Sequence, residues 1–466
     1  MQPIAPEPAP AEAPAPEPGA ALAGEAPARS TPPAEASAGA SDDNVIRRAA
    51  DDGFVVFPVG RLQVDSYLFR TDNQAPNETF LIRRARVEVG GWIGNLAYFH
   101  LSGDFAGALP NVSSAPGGSS TFAATDNFIA VAPWRSVAML QVGRFDAPFS
   151  LENRTRDTDL DFMERSLTVR ALGIPDNKQV GAMVHGNNAA RNFMYSAGVF
   201  NGDGPRFQNL DRQFDFMGRA WIAPLSFKGD GRLHDVTIGG SAWAGDRSNT
   251  IELPDQTTQG GFTFLSFAPY SGLNGNPGTP VQLRQVGRMT AFAGELNVPI
   301  DHRYGLRGEF VWKHSPLSQE NVTNPGSGVI VGGAHLEGYA GYGELWFWAL
   351  GDDRIIGDVQ GLQPYPRTRR FGDGGAKNGL MLAFRFEYLN EDLTEESDSA
   401  RLNLGNKYVG TTKVNSYALG INYWRSSRLR ATFNYVFNHV TGDTAFIAGL
   451  ASPNEQEFLF RLAIAL

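Results

Sequence analysis

The sequence predicts an all-β protein, a transmembrane antiparallel β-barrel of about 16 strands that follows a disordered N-terminal segment. Three observations predict this fold. Apolar residues alternate with small or charged ones in many short runs, and short connections alternate with long ones. No uncharged apolar stretch is long enough for a transmembrane helix, whereas a barrel strand needs only about ten alternating residues. We expect residues 1–43 to be the disordered segment and residues 44–466 to form the barrel.

The C-terminal run shows the alternation most clearly. One parity carries Phe458, Phe460, Leu462, Ile464 and Leu466, and the other carries Leu459, Arg461, Ala463 and Ala465. Period-two alternation puts these two sets on opposite faces of a strand. A large apolar face suits lipid, and a small or charged face suits a water-filled interior. A soluble sandwich edge strand would also fit this single run, but recurrence at 304–313, 380–388, 417–423 and 431–437 favours the barrel.

The alternation predicts strands at roughly 54–70, 79–92, 95–105, 126–134, 136–149, 179–187, 191–201, 214–224, 233–247, 285–300, 303–315, 334–350, 378–390, 414–425, 429–440 and 454–466. The long loops between them are 106–125, 150–178, 245–284, 315–333 and 390–413, and 351–377 is a long connection at a place where a short turn is expected. Short turns on one rim and long loops on the other are typical of outer-membrane barrels. An even strand number then places both termini in the periplasm.

Composition narrows the class of protein. The net charge of −9 argues against a nucleic-acid partner, and the absence of cysteine suits an exported protein. Residues 2–43 hold ten prolines, no aromatic residue and one cation, Arg29. Such a segment cannot bury enough apolar surface to offset its ordering entropy, so we expect it to be disordered.

The lumen face follows from parity in the second strand, where Arg84, Arg86 and Glu88 share one face. An arginine facing lipid near the middle of the membrane costs about 2–4 kcal/mol, so this face must meet water. The same parity places inward His100, Asp104, Glu295, Arg307, Glu309, Lys313, Arg385, Glu387 and Arg461. These residues either solvate a wet wall and pair with one another or select solutes. Six of the 40 cationic residues are Lys and 34 are Arg, which reflects either codon usage or a preference for oxyanions.

Several segments resemble the phosphate-selective porin O and P family, from about Val59 to the C-terminus. The matching pieces are Gly60-Arg61-Leu62-Gln63 with Asp65, Phe80–Ile82 with Arg83-Arg84-Ala85, Val87–Gly91, Val142-Gly143-Arg144-Phe145 with Phe149, Leu151-Glu152, Glu164-Arg165-Ser166-Leu167, Ala197–Gly202 and the long turn at Trp348–Arg354. The resemblance implies a 16-stranded, trimeric outer-membrane porin whose third loop folds inward and narrows the pore.

In that family an arginine ladder and a constriction site with an acid and a lysine select phosphate. Arg61, Arg83 and Arg84 match ladder positions, and Asp126 matches the constriction acid. The lysine that should follow Leu-Glu is replaced by Asn153, so we expect phosphate to bind weakly. The predicted pore-lining residues are therefore Arg61, Arg83, Arg84, Arg86, Asp126, Asn153, Arg154 and Arg156. We expect Arg154 and Arg156, on the third loop, to reach toward Arg84 and Arg86.

The predicted function is passive diffusion of small hydrophilic solutes, favouring anions, by a homotrimer in the lipid of the bacterial outer membrane. Segment 150–178 is the predicted constriction, because it mixes apolar residues with acids and arginines. A general or cation-preferring porin is one alternative. A surface scaffold that binds through loop 245–284 is another. The sequence predicts no enzyme, metal site or cofactor, because the seven histidines are scattered and His439 has no serine nearby in sequence.

Overall fold

The computed structural model describes residues 46–48, 53–73, 76–94, 96–106, 123–132, 137–175, 177–188, 190, 192–202, 208–226, 231–267, 270–271, 280–321, 333–355, 378–395, 410–426, 428–443, 447 and 450–465. The segment 1–43, predicted to be disordered, lies outside the described residues. Most of the turn 351–377 also lies outside them. Its described part contains a short 3-10 turn at Asp353–Ile355.

Sixteen antiparallel strands form a closed barrel, as predicted. They are β1 (Phe54–Thr71), β2 (Thr79–Ile93), β3 (Ala97–Asp104), β4 (Ala123–Val131), β5 (Met139–Asp146), β6 (Lys178–Asn187), β7 (Phe193–Phe200), β8 (Asp215–Ile222), β9 (Thr237–Glu252), β10 (Pro280–Ile300), β11 (Tyr304–Asn321), β12 (Gly333–Leu350), β13 (Gly379–Glu395), β14 (Gly410–Ser426), β15 (Leu429–Gly442) and β16 (Asn454–Ala465). Each strand pairs with the next, and β1 pairs with β16 from Arg61↔Ala465 to Thr71↔Glu455. A short strand, Ile46–Arg48, also pairs with the start of β1.

The barrel exposes apolar side chains outward and buries polar ones inward. On β16, Phe460, Leu462 and Ile464 are exposed, whereas Glu457 and Arg461 are buried. Closure pairs the backbone groups of every strand with those of two neighbours, which a lipid environment requires. No helix among the described residues is long and apolar enough to cross a membrane.

A register shift in the pairing of β1 with β2 changes the inward face. Gln63 pairs with Arg84, but the next residue, Val64, pairs with Ile82, so Arg83 has no partner in the ladder. Such a bulge reorients the extra residue. Strict alternation would send Arg83 to the lipid face, whereas the bulge lets Arg83 and Arg84 both point into the barrel.

Candidate pore constriction

Residues 147–177 connect β5 to β6, and the described ones, 147–175 and 177, lie inside the barrel. Their backbone bonds to strands on the far side, because Met163 N donates to Asn434 Oδ1 at 2.7 Å and Leu167 N donates to Glu387 Oε2 at 2.9 Å. The prediction that this segment folds inward is confirmed, although Lys178 already belongs to β6. We call residues 147–177 the inner loop.

Two short helices shape the inner loop, α1 (Leu151–Arg154) and α2 (Leu167–Leu172). Each begins after a serine, Ser150 or Ser166, whose hydroxyl accepts a hydrogen bond from a backbone N–H of the first turn. Serine is favoured at this position because its oxygen satisfies a donor that the helix leaves unpaired. The two turns keep the backbone of the inner loop compact inside the lumen.

Apolar side chains of the inner loop pack against glycines of the wall. The Phe162 ring lies against Gly420 of β14, where an added Cβ would come within 3.1 Å of it. Leu172 of α2 lies against Gly338 of β12, where an added Cβ would come within 3.0 Å. Phe162 and Leu172 are almost fully buried. The wall therefore makes room for the inner loop by omitting side chains at these points.

Asp157 of the inner loop joins three arginines of the wall. Its carboxylate bonds to Arg61 of β1, to Arg84 Nε at 2.7 Å and to Arg86 Nη1 at 3.3 Å. Burial alone would raise the pKa of Asp157, but the three guanidinium groups outweigh it and hold the pKa well below its usual range. This carboxylate is thus the link between the inner loop and the predicted arginine cluster.

Glu164 makes a second junction with the same wall. Its oxygens accept from Arg83 Nε at 2.9 Å and Nη2 at 3.1 Å, and from Arg461 Nη2 at 2.7 Å. Burial opposes ionisation, yet Arg83, Arg84 and Arg461 hold the pKa of Glu164 well below its usual range. Parity had placed Arg461 inward, but no sequence signal indicated its partner.

The opposite wall also holds the inner loop by charge. Glu152 Oε1 lies 3.0 Å from Arg385 Nη1 of β13, while Glu152 N donates to Glu309 Oε1 of β11 at 2.7 Å. Asp161 Oδ2 lies 2.8 Å from Arg307 Nη1 of β11. The inner loop therefore crosses the lumen and is fastened on both sides.

Asp126, the predicted constriction acid, and Asn153, which replaces the family's lysine, contact different residues. Asp126 of β4 bonds to Lys178 Nζ at 2.7 Å, and Lys178 Nζ also lies 2.6 Å from Asp146 Oδ1. Asn153 is fully buried in α1, where its amide donates to Ala147 O at 3.1 Å and Asn177 O at 3.3 Å. Asn153 thus links the two ends of the inner loop, Ala147 and Asn177. Sequence reasoning missed Lys178, because the resemblance pointed to a different position.

Arg154 does not reach the arginine cluster. Its side chain donates to the main-chain oxygen of Asp146, and burial lowers the pKa of Arg154 to about 10. Arg156 is half-buried at a turn in which Asp159 N donates to Arg156 O at 3.0 Å. The residue of the inner loop that meets Arg84 and Arg86 is the acid Asp157, because opposite charges attract where arginines would repel.

A second segment, 253–267, also enters the barrel, and we call it the inner hairpin. Gln256–Thr257 pairs with Thr263–Leu265, and Phe262, Phe264 and Phe267 are almost fully buried. The hypothesis of a surface-binding loop at 245–284 is wrong for this part. Residues 245–252 continue β9, and the apolar ring side chains draw the following residues into the core.

Carboxylates of the wall hold the inner hairpin through neutral donors. Gln256 Nε2 donates to Glu391 Oε1 at 2.9 Å, and Gly260 N donates to Glu457 Oε2 at 2.8 Å. The Thr258 hydroxyl donates to the other oxygen of Glu457. No charged side chain of the inner hairpin takes part in these contacts.

We next consider a metal site and the histidine that the sequence singled out, His439. No group of three or more His, Cys, Asp or Glu residues in the described part of the chain is arranged to hold a metal ion. His439 Nδ1 lies 2.8 Å from Asn454 Oδ1, so the histidine singled out in the sequence contacts an amide. The functional features are the two inward segments and the charges that fasten them.

Comparison with known proteins adds a family and a fold. The family described as phosphate-selective porin O and P matches residues 59–454. In-vitro folded OmpT, an outer membrane protein of Vibrio cholerae, is similar at a TM-score of 0.50 and 11% identity, over 90% of this chain and 99% of that chain. No curated protein matches the sequence.

Two further solved structures are similar at lower scores. The anion-selective porin from Comamonas acidovorans has a TM-score of 0.46 and 10% identity, over 89% of this chain and 100% of that chain. The outer membrane channel DcaP of Acinetobacter baumannii has a TM-score of 0.47 and 8% identity, over 90% of this chain and 99% of that chain. The family match covers most of the sequence, from β1 to the start of β16.

Proposed function

We propose that this chain, which belongs to the phosphate-selective porin O and P family, conducts small hydrophilic anions by passive diffusion through its lumen. Membership makes it a bacterial outer-membrane porin, and the preference for anions is the proposal. The inner loop would set the constriction, because it crosses the lumen. Its Asp157 bonds to Arg84 of β2, and its Asp161 bonds to Arg307 of β11.

One observation carries the anion preference. In the cluster around Asp157, the arginines are more exposed than the acid that joins them. The side chains of Arg86 and Arg61 are 14% and 10% exposed, against 6% for Arg84 and 4% for Asp157. Arg61 also pairs with Glu88, which is 6% exposed, and Arg86 with Asp104, which is 11% exposed. Arg86 and Arg61 are therefore more accessible to water than the Asp157 carboxylate that joins them. Fixed positive charge at the water surface of a narrow, low-dielectric channel raises the local concentration of anions.

Planar-bilayer recording in a potassium chloride gradient tests the proposal. We expect regular single-channel steps and a reversal potential on the chloride side of zero. Arg86→Gln should move that potential toward potassium, whereas Arg70→Gln, on the exposed outward face of β1, should not. A wild-type pore that prefers potassium would refute the anion preference. Absence of channel steps would favour the scaffold alternative.

Phosphate should bind weakly. The family's constriction lysine is replaced by the fully buried Asn153, and Lys178 is already bonded to Asp126 and Asp146. The two carboxylates bonded to Lys178 offset its charge, and Asn153 carries none, so less positive charge is available for a doubly charged anion. We expect millimolar phosphate to leave chloride current almost unchanged, and strong block at micromolar phosphate would contradict this expectation.

Assembly and orientation complete the proposal. We propose a homotrimer with its N-terminus in the periplasm, following the family resemblance and the even strand number. Val64, Phe80 and Phe460 are exposed on the outward face where β16 meets β1 and β2, and lipid or another copy would cover them. Mass measurement in mild detergent tests the trimer. Protease access in intact cells tests the orientation.

A further inference from the structure

We propose that Lys313 of β11 is a second anion-binding residue of the lumen, on the wall roughly opposite the Asp157 cluster. This inference rests on the proposed function and deepens it. In the closed ring of 16 strands, β11 lies six strands from β1. An anion that passes the inner loop would therefore meet positive charge from two sides.

Lys313 differs from the arginines that fasten the inner loop. Arg61, Arg83, Arg84, Arg307 and Arg385 each lie within 3.0 Å of a carboxylate oxygen. In the part of the chain that the structure describes, Lys313 Nζ makes no hydrogen bond or salt bridge, and it lies 4.9 Å from the ring centroid of Trp243. An ammonium over an indole face is attracted to the ring but keeps its donors available.

Register explains how Lys313 reaches this position. Ala291 of β10 pairs with Trp243 on one side and Lys313 on the other, so the three residues form one row across the wall. The small side chain of Ala291 leaves space for the lysine stem to cross to Trp243. Lys313 is the tenth of the 18 residues of β11, near the middle of the strand. Salt screens a half-buried charge less than a fully exposed one.

The charged residues that act electrostatically on Lys313 are more buried than Lys313 itself. Asp215 and Glu391 are the carboxylates that act on it electrostatically, and both are almost fully buried, whereas Lys313 is half-buried. Asp215 already receives both terminal nitrogens of Arg247, at 2.5 and 2.9 Å, and one oxygen of Glu391 accepts from Gln256. Lys313 is therefore the most exposed charged residue of this set.

The ligand class is a small inorganic anion in transit, with chloride as the probe. We expect Lys313→Gln to lower the chloride-to-potassium permeability ratio of the full-length protein in planar bilayers by roughly fivefold. That factor is expected for one unit charge acting at about 4 Å through water. Lys313→Arg, which keeps the charge, should retain the ratio. Lys413→Gln, which removes an exposed lysine from the outward face of β14, is the matched control and should also retain it.

The outcomes separate this inference from the function on which it rests. An anion-preferring wild type with an unchanged ratio in Lys313→Gln would refute the role of Lys313 and leave the proposed function standing. A cation-preferring wild type that still shifts further toward potassium in Lys313→Gln would refute the proposed function and support Lys313 as a pore charge. A cation-preferring wild type with no shift would refute both. Heat-modifiable migration of Lys313→Gln in gels guards against a folding defect, and Lys313→Arg isolates the charge because it keeps it.

Discussion

The inner loop and the inner hairpin both occupy the lumen, but the inner loop is fastened by ion pairs as well as by neutral donors, whereas the inner hairpin is fastened by neutral donors. The inner loop contributes carboxylates, such as Asp157 and Glu164, and the wall contributes guanidinium groups. The inner hairpin contributes neutral amide and hydroxyl donors, and the wall contributes the carboxylates of Glu391 and Glu457. We therefore expect the charges of the inner loop to affect the field of the pore more than the inner hairpin does.

The two segments also differ in the strands of the wall to which they bond. The inner loop bonds to both sides of the lumen, through Arg84 on β2 and through Arg385 on β13. The inner hairpin bonds to β13 and β16 and contacts α2 through Arg170, whose Nη2 donates to Thr257 Oγ1 at 2.5 Å. Shortening either segment should therefore open the pore, but only changes in the inner loop should alter charge selection.

The largest expected effect is on conductance. Replacing residues 155–165 by a short Gly-Ser linker should raise single-channel conductance severalfold, because it removes the segment that crosses the lumen. The same replacement at 257–263 should raise conductance less and leave the reversal potential unchanged. Heat-modifiable migration in gels would verify that both variants fold. A larger gain from the hairpin variant would show that the inner hairpin is the narrower obstacle.

Selectivity should respond next. Asp157→Asn removes the charge that Arg61, Arg84 and Arg86 share, so we expect the chloride-to-potassium ratio to rise by up to roughly fivefold. Glu457→Gln, the counterpart at the inner hairpin, should leave the ratio nearly unchanged. Reversal potentials in a salt gradient provide the measurement. An equal shift in both variants would remove the distinction between the two segments.

Stability should follow the ion pairs. Glu152 accepts from Ser166 N at 2.7 Å and lies 3.0 Å from Arg385 Nη1, both in buried surroundings. Weakening these charge-assisted bonds with Glu152→Gln should lower the free energy of unfolding by about 2 kcal/mol in urea titrations of the lipid-embedded protein. Glu252→Gln breaks an exposed pair with Arg284 and should cost at most about 0.5 kcal/mol. Similar losses in both variants would argue against the inner loop as a stabilising element.

The smallest effect concerns acid. Because the pKa values of Asp157 and Glu164 are depressed in the folded state, their contribution to stability is present above the ordinary value of about 4. It is lost only as the pH falls through the lower folded values. We expect steady current from pH 8 to about 5 and noisier current below about pH 4 as the inner loop loosens. Noise that begins near neutral pH would point to other groups.

The sequence by itself determined the barrel and the faces of its strands. Alternation is set locally by the pleat, so the outward Phe460 and the inward Arg461 could be assigned without tertiary information. The inward course of the inner loop was also predictable, because Leu160, Phe162 and Met163 give it an apolar side that a surface hairpin would leave in water. The resemblance to a porin family predicted the same barrel and the same inward course of the inner loop.

The tertiary structure decided which charges meet. Parity shows that Arg84 and Arg385 point inward, but their partners Asp157 and Glu152 lie 73 and 233 residues away along the chain, and only closure of the barrel brings them together. A bulge turned Arg83 inward against strict alternation, and the path of the inner loop gave the arginine cluster an acid where more arginine was expected. The net field of the pore depends on these pairings, since each carboxylate that pairs with an arginine offsets part of its positive charge.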